Sequence, residues 1–132
     1  AGGDALCWGE NSAGELGDGT TGNVSSPETV IAGSVVGIAA TAVRFALPHT
    51  CAVLASGAVE CWGSNAYGQL GDGTTNDSAS PVTAIQSGAA AVVCGSRHTC
   101  ALMKDGTVRC WGDNALGATA GASTTMPVVI PN

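Results

Sequence analysis

Six cysteines, two histidines and a scatter of aspartates hold most of the reactive chemistry this 132-residue chain can offer. Nine residues separate Cys51 from Cys61, and nine separate Cys100 from Cys110; His49 and His98 each stand two positions before the first cysteine of a pair. Two thiol pairs allow either two disulfides or one four-thiolate zinc site. Zinc knuckles space their ligands by about two to four residues, so the wider spacing favours disulfides. Asp18 and Asp72, each in Leu-Gly-Asp-Gly-Thr, offer oxygens of the kind that bind a hard cation. The motif lacks the dense Asp/Asn spacing of a calcium loop, and Asp before Gly is ordinary turn chemistry. No serine stands in a nucleophile–base–acid pattern, and the Gly runs lack the strand-to-helix setting and the Lys of a phosphate loop. The chain therefore reads as a non-enzyme with no catalytic residue, no metal and no cofactor.

The elements that must position these residues are repeated. Cys-Trp-Gly recurs at Cys7, Cys61 and Cys110, and Gly-Glu-Leu-Gly-Asp-Gly-Thr-Thr from Gly14 returns from Gly68 with Gln69 in place of Glu15. Self-similarity at about fifty residues is the mark of a repeat architecture. Each unit reads as four short strands: a small apolar run (36–40, 90–94), two strands of a hairpin (50–54 with 58–62, 99–103 with 107–111), and a Pro-led outer strand (81–85, 127–130). The hairpin connections Ala55-Ser56-Gly57 and Lys104-Asp105-Gly106 end in Gly, as turn-plus-bulge hairpins do. If residue 54 faces 58, antiparallel pairing puts Cys51 opposite Cys61 and, by the same construction, Cys100 opposite Cys110, within disulfide reach. Four-stranded antiparallel units at this period make an all-β fold of β-propeller blades. The expected divisions are residues 1–33 as the second half of a blade, 34–86 as a complete blade and 87–132 as a complete, trimmed one.

His-Thr-Cys-Ala-Leu-Met-Lys-Asp-Gly-Thr-Val-Arg-Cys-Trp-Gly-Asp-Asn from His98, with the Gly-Gln-Leu-Gly-Asp-Gly-Thr-Thr run from Gly68, closely resembles the regulator of chromosome condensation repeat, in its bacterial, cysteine-bearing branch. The resemblance covers essentially the whole chain and implies a seven-bladed ring, of which about two and a half blades are present here. It weakens in residues 117–123, which lack the Leu-Gly-Asp-Gly-Thr turn, and at an insertion over residues 42–48. Two and a half blades do not close a ring, so the expectation is a part of a longer propeller, with a ring assembled from several chains as the alternative. Cys7 occupies the place of Cys61, so its partner is expected about ten residues earlier, upstream of Ala1. Cys94 stands where the other copy has Ala40 and reads as a small buried side chain.

Only 11% of residues are charged, and the net charge is −6 with four basic residues spread along the chain. That balance excludes a phosphate-binding stripe and with it nucleic acid, and no run is long enough for a membrane-spanning helix. Disulfides call for an oxidising compartment, so the expected location is extracellular, cell-surface or periplasmic. The repeated Trp residues read as blade packing. Residues that break the repeat are better candidates for binding: Arg44 and Phe45 in the insertion, and Tyr67 where the sister copies have Ala13 and Leu116. The expected function is a non-enzymatic, exported propeller that binds a protein partner or further blades as a subunit of a surface or extracellular complex. The alternative is a soluble inhibitor of a secreted enzyme; nucleotide exchange on a small GTPase and carbohydrate binding rank below.

Overall fold

The structure is a computed structural model that describes residues 2–41, 47–114 and 122–131. Its strands are β1 (Gly3–Gly9), β2 (Val24–Ala40), β3 (His49–Leu54), β4 (Val59–Gly63), β5 (Ser78–Ile85), β6 (Ala89–Cys94), β7 (His98–Met103), β8 (Val108–Gly112) and β9 (Thr124–Val129). All strand pairs are antiparallel, in a five-stranded sheet ordered β1-β2-β3-β4-β5 and a four-stranded sheet ordered β6-β7-β8-β9. No helix occurs among the described residues.

The hairpins take the expected register. Val53 pairs with Val59 and Cys51 with Cys61, while Cys100 pairs with Cys110. The Leu54 amide donates to the Ala58 carbonyl, so by alternation Cys51 and Cys61 form a non-hydrogen-bonded pair, the type with the closest Cα atoms. Those Cα atoms are 4.1 Å apart in both hairpins, and both pairs are disulfide-bonded. Closing so short a loop contributes roughly 2–3 kcal/mol by the chain-entropy argument.

One element differs from expectation. The outer strand of the first half-unit and the inner strand of the next are continuous in β2, which crosses the expected division after residue 33. Val35 pairs with Gly3 on one side and Leu54 on the other, which joins the half-unit to the following blade in one sheet. The reason lies at residue 34. Ser34 and Gly88 hold equivalent places, each accepting an amide from the hairpin that follows (Ala55 and Lys104). Gly88 turns there with φ +87, a conformation that is costly for serine; the left-handed residue in β2 is Gly33 instead, with φ +68.

The two sheets pack face to face. Val53, Val59, Leu70, Ile85 and the Cys51–Cys61 bridge meet Ala89, Val92, Ala101, Met103 and Trp111 in one apolar cluster. The outward faces are also apolar. Leu6, Trp8, Val36 and Ile38 are exposed on the first sheet, and Val93, Leu102 and Val108 on the second. Faces of this kind are what successive repeats cover for one another.

Candidate protein-binding face

Loops gather at one end of the two sheets, where β4 and β8 finish and β3, β5 and β7 begin. Their shape is set by a buried asparagine before each of the two Leu-Gly-Asp-Gly-Thr turns. Asn65 accepts the Leu70 amide on Oδ1 (2.9 Å) and donates through Nδ2 to the carbonyls of Thr74 (3.0 Å) and Asn76 (2.9 Å) and to Asp72 Oδ1 (3.2 Å). Asn11 repeats this arrangement with Leu16, Thr20, Gly22 and Asp18. The aspartates are thereby committed to the turn: Asp72 Oδ1 also takes the amide and hydroxyl of Thr74. In the sister turn the Thr20 amide, then its hydroxyl and Asn11, hold the Asp18 carboxyl below its ordinary range. Asn65→Ala is expected to cost about 1–3 kcal/mol by stranding buried groups, measured by urea unfolding. Asn65→Asp is expected not to rescue, because a carboxylate cannot donate to the Thr74 and Asn76 carbonyls.

These loops latch onto the next repeat. Thr50 and Trp62, paired across β3 and β4, both donate to the Glu15 carbonyl, each at 2.9 Å. Thr99 and Trp111 do the same to the Gln69 carbonyl at 2.7 and 2.9 Å. The indole packs so closely on the loop that a Cβ at Gly71 would lie 2.6 Å from Trp111 Nε1, and one at Gly17 would lie 2.7 Å from Trp62 Nε1. Trp62 and Trp111 are fully buried as a result. Trp8, expected to pack like its sisters, is 56% exposed, with no carbonyl latch over it among the described residues.

His49 extends the link between copies. Its Nε2 lies 2.7 Å from Thr99 Oγ1, whose single proton goes to the Gln69 carbonyl. The ring is thereby placed to donate from Nε2 to Thr99, and its Nδ1 lies 3.0 Å from Thr41 Oγ1. Burial pushes the His49 pKa down to about 4 and keeps the ring neutral. The histidine is a scaffold group here.

Of the residues that break the repeat, Arg44 and Phe45 lie outside the described residues, as does Leu116. Tyr67 is described, and it has company. Arg97, on the short connection between β6 and β7, places its guanidinium 4.9 Å from the Tyr67 ring centroid. Its Nη1 lies 3.7 Å from Asp113 Oδ2, past the end of β8. Tyr67 is 37% exposed and the Arg97 side chain 51%. Sequence reasoning passed over Arg97 as one of four scattered cations. The available signal was its place: Ser96-Arg97 stands where the other copy carries the insertion over 42–48. Beneath this pair Gln69 is fully buried; its Oε1 accepts the Tyr67 amide at 2.9 Å, while Nε2 has no acceptor among the described residues.

His49, Cys51 and Cys94 also cluster, with donor atoms within 4.8 Å of one another. Cys51 is spent in its disulfide, which removes its thiolate from metal ligation. Cys94 and Cys7 are free thiols, and burial raises both their pKa values.

Two sequence profiles described as the Regulator of chromosome condensation (RCC1) repeat match residues 56–102 and 89–118. Residues 56–118 carry this repeat. It is 37% identical over 83 residues to the Danio rerio protein RCC2 homolog, which covers 61% of this chain and 16% of the relative. It is 35% identical over 78 residues to human HERC4, a probable E3 ubiquitin-protein ligase, covering 59% of this chain and 7% of that one. Among solved structures, human WBSCR16 superposes with a TM-score of 0.80 at 26% identity, over 98% of this chain and 33% of that chain. Yeast RCC1 (Prp20), solved with Kap60, superposes at 0.77 and 18% identity over 96% and 33%. The chain spans about a third of the length of these solved propellers and a smaller share of the curated relatives it matches.

Proposed function

We propose that the chain is a non-enzymatic, protein-binding segment of an exported β-propeller, and that it recognises its partner with the loop end centred on Tyr67 and Arg97. The Tyr67–Arg97 pair carries this reading. It departs from the repeat, is solvent-facing, and is held in place by stacking and by the ion pair to Asp113, so little side-chain freedom is lost on docking. Arg and aromatic residues are the usual hot-spot types. Similar propellers bind proteins: yeast Prp20 was crystallised with Kap60 bound, and the Saccharomyces cerevisiae Prp20p structure was reported with its binding to Gsp1p and histones. Export rests on the two hairpin disulfides, which persist in oxidising compartments. Arg44 and Phe45, which lie outside the described residues, belong to the same hypothesis as breaks in the repeat.

Tyr67→Ala and Arg97→Ala are each expected to weaken partner affinity by about 5- to 30-fold, the range of a hot-spot truncation worth 1–2 kcal/mol. The measurement is quantitative capture from the culture medium and surface fraction of the source cells by wild-type and variant chains. Proteins enriched by wild type and lost with both variants support the reading; identical sets with all three overturn it. Recovery of the native protein from a reducing cytosol with Cys51 and Cys61 as thiols would remove the export claim. A freely secreted form bound to an enzyme would favour the inhibitor reading.

A further inference from the structure

A free thiol stands beside a disulfide where the two sheets meet. Ala39 of β2 pairs with Cys51 of β3, and the Cys94 thiol of β6 points at the Ala39 carbonyl from 3.5 Å. The Cys94 and Cys51 sulfurs and a ring nitrogen of His49 accordingly lie within 4.8 Å of one another. Cys51 is bonded to Cys61 within its own hairpin.

The geometry points to Cys94 as the resident nucleophile of a disulfide exchange that moves the bridge from Cys51–Cys61, inside one hairpin, to Cys51–Cys94, between the two sheets. The step balances internally. Cys94 gives up its proton, its thiolate attacks Cys51 Sγ, and the Cys51–Cys61 bond breaks with its electron pair going to Cys61 Sγ, which takes up a proton. One disulfide and one thiol exist before and after, so no oxidant or reductant is consumed. The sulfurs need only close the remaining gap to bonding distance, about 2.05 Å, by movement of side chains already packed together. Cys51–Cys61 is the bonded pair in the structure, and burial, which pushes the Cys94 thiol up to about 12, keeps that thiol protonated and makes the exchange slow. In the exchanged form the interface between successive repeats is covalently locked and the β3–β4 hairpin is released. Among the described residues no third sulfur forms such a cluster with Cys100 and Cys110, so that bridge is the internal control.

The test uses the native chain held in non-denaturing buffer until its disulfide ratios are constant. It is then quenched in acid, alkylated with a maleimide and cleaved after Glu60, Asp77 and Arg97, which puts Cys51, Cys61, Cys94 and Cys100 on separate peptides. The expected result is a Cys51–Cys94 peptide pair with alkylated Cys61, beside the Cys51–Cys61 pair, and its loss in Cys94→Ser with Cys100–Cys110 unchanged. Cys61→Ser, oxidised while folded, is expected to bond Cys51 to Cys94. Recovery of Cys51 only with Cys61 in the native chain overturns the proposal. So does a folded, oxidised Cys61→Ser chain in which Cys51 is free or joined to Cys7.

Discussion

Replacing Trp62 with alanine is expected to destabilise the chain by about 3–5 kcal/mol, the range for removing a large buried aromatic, whereas Trp8→Ala is expected to stay within about 0.5 kcal/mol, as exposed positions do. The two residues share one motif, so the contrast isolates the latch. Trp62 is fully buried against the Gly14–Gly19 turn and donates to the Glu15 carbonyl; Trp8 is 56% exposed. Truncation at Trp62 opens a cavity and leaves only Thr50 on that carbonyl. Urea unfolding of both variants measures the difference. Equal costs would show that Trp8 is packed in solution and that the latch does not explain the burial. Gly71→Ala offers an independent check, since its Cβ would strike Trp111 at a residue with φ +75.

Acid is the second large perturbation. His49 has a folded pKa of about 4 against an ordinary 6.5, because burial penalises its charged form. The unfolded chain therefore binds the proton more tightly than the folded one, and stability falls as pH drops through this window. Two and a half pH units correspond to about 3 kcal/mol. Full stability is expected above about pH 6.5, with the loss nearly complete by about pH 4. Asp18 and Asp105 carry depressed pKa values as well. Their stabilisation is lost only as pH falls through and below the carboxylate range, so the interval above pH 4 belongs to the imidazole. Urea unfolding at several pH values checks this, and His49→Gln is expected to flatten the dependence. A wild-type profile that is level from pH 7 to 4.5 would show that His49 is not held neutral by its packing, with Nδ1 3.0 Å from Thr41 Oγ1 and Nε2 2.7 Å from Thr99 Oγ1.

The sequence by itself determined the features whose causes are local. Gly57 and Gly106 end three-residue turns, the turns set the hairpin register, and the register places Cys51 against Cys61 and Cys100 against Cys110. The repeat period and its motifs likewise carried the blade and the family, because each copy reports the same structural unit. Where the cause is not local, the sequence was silent or misleading. Three Cys-Trp-Gly motifs read as packed indoles, but what packs each is a loop from the preceding copy: Trp62 and Trp111 are buried under one, and Trp8 is 56% exposed with none over it among the described residues. β2 runs through an expected blade division where Ser34 stands at the place of Gly88 and the left-handed residue is Gly33 instead, a local difference whose effect on the sheet shows only in the fold. Tyr67 was visible as a break in the repeat, but its partner Arg97 lies thirty positions on and meets it only because neighbouring blades bring their loops together. Cys94 looked like a spare core residue. Its place beside Cys51 arises from packing one sheet on another, and periodicity within a strand cannot encode which side chains meet across that gap.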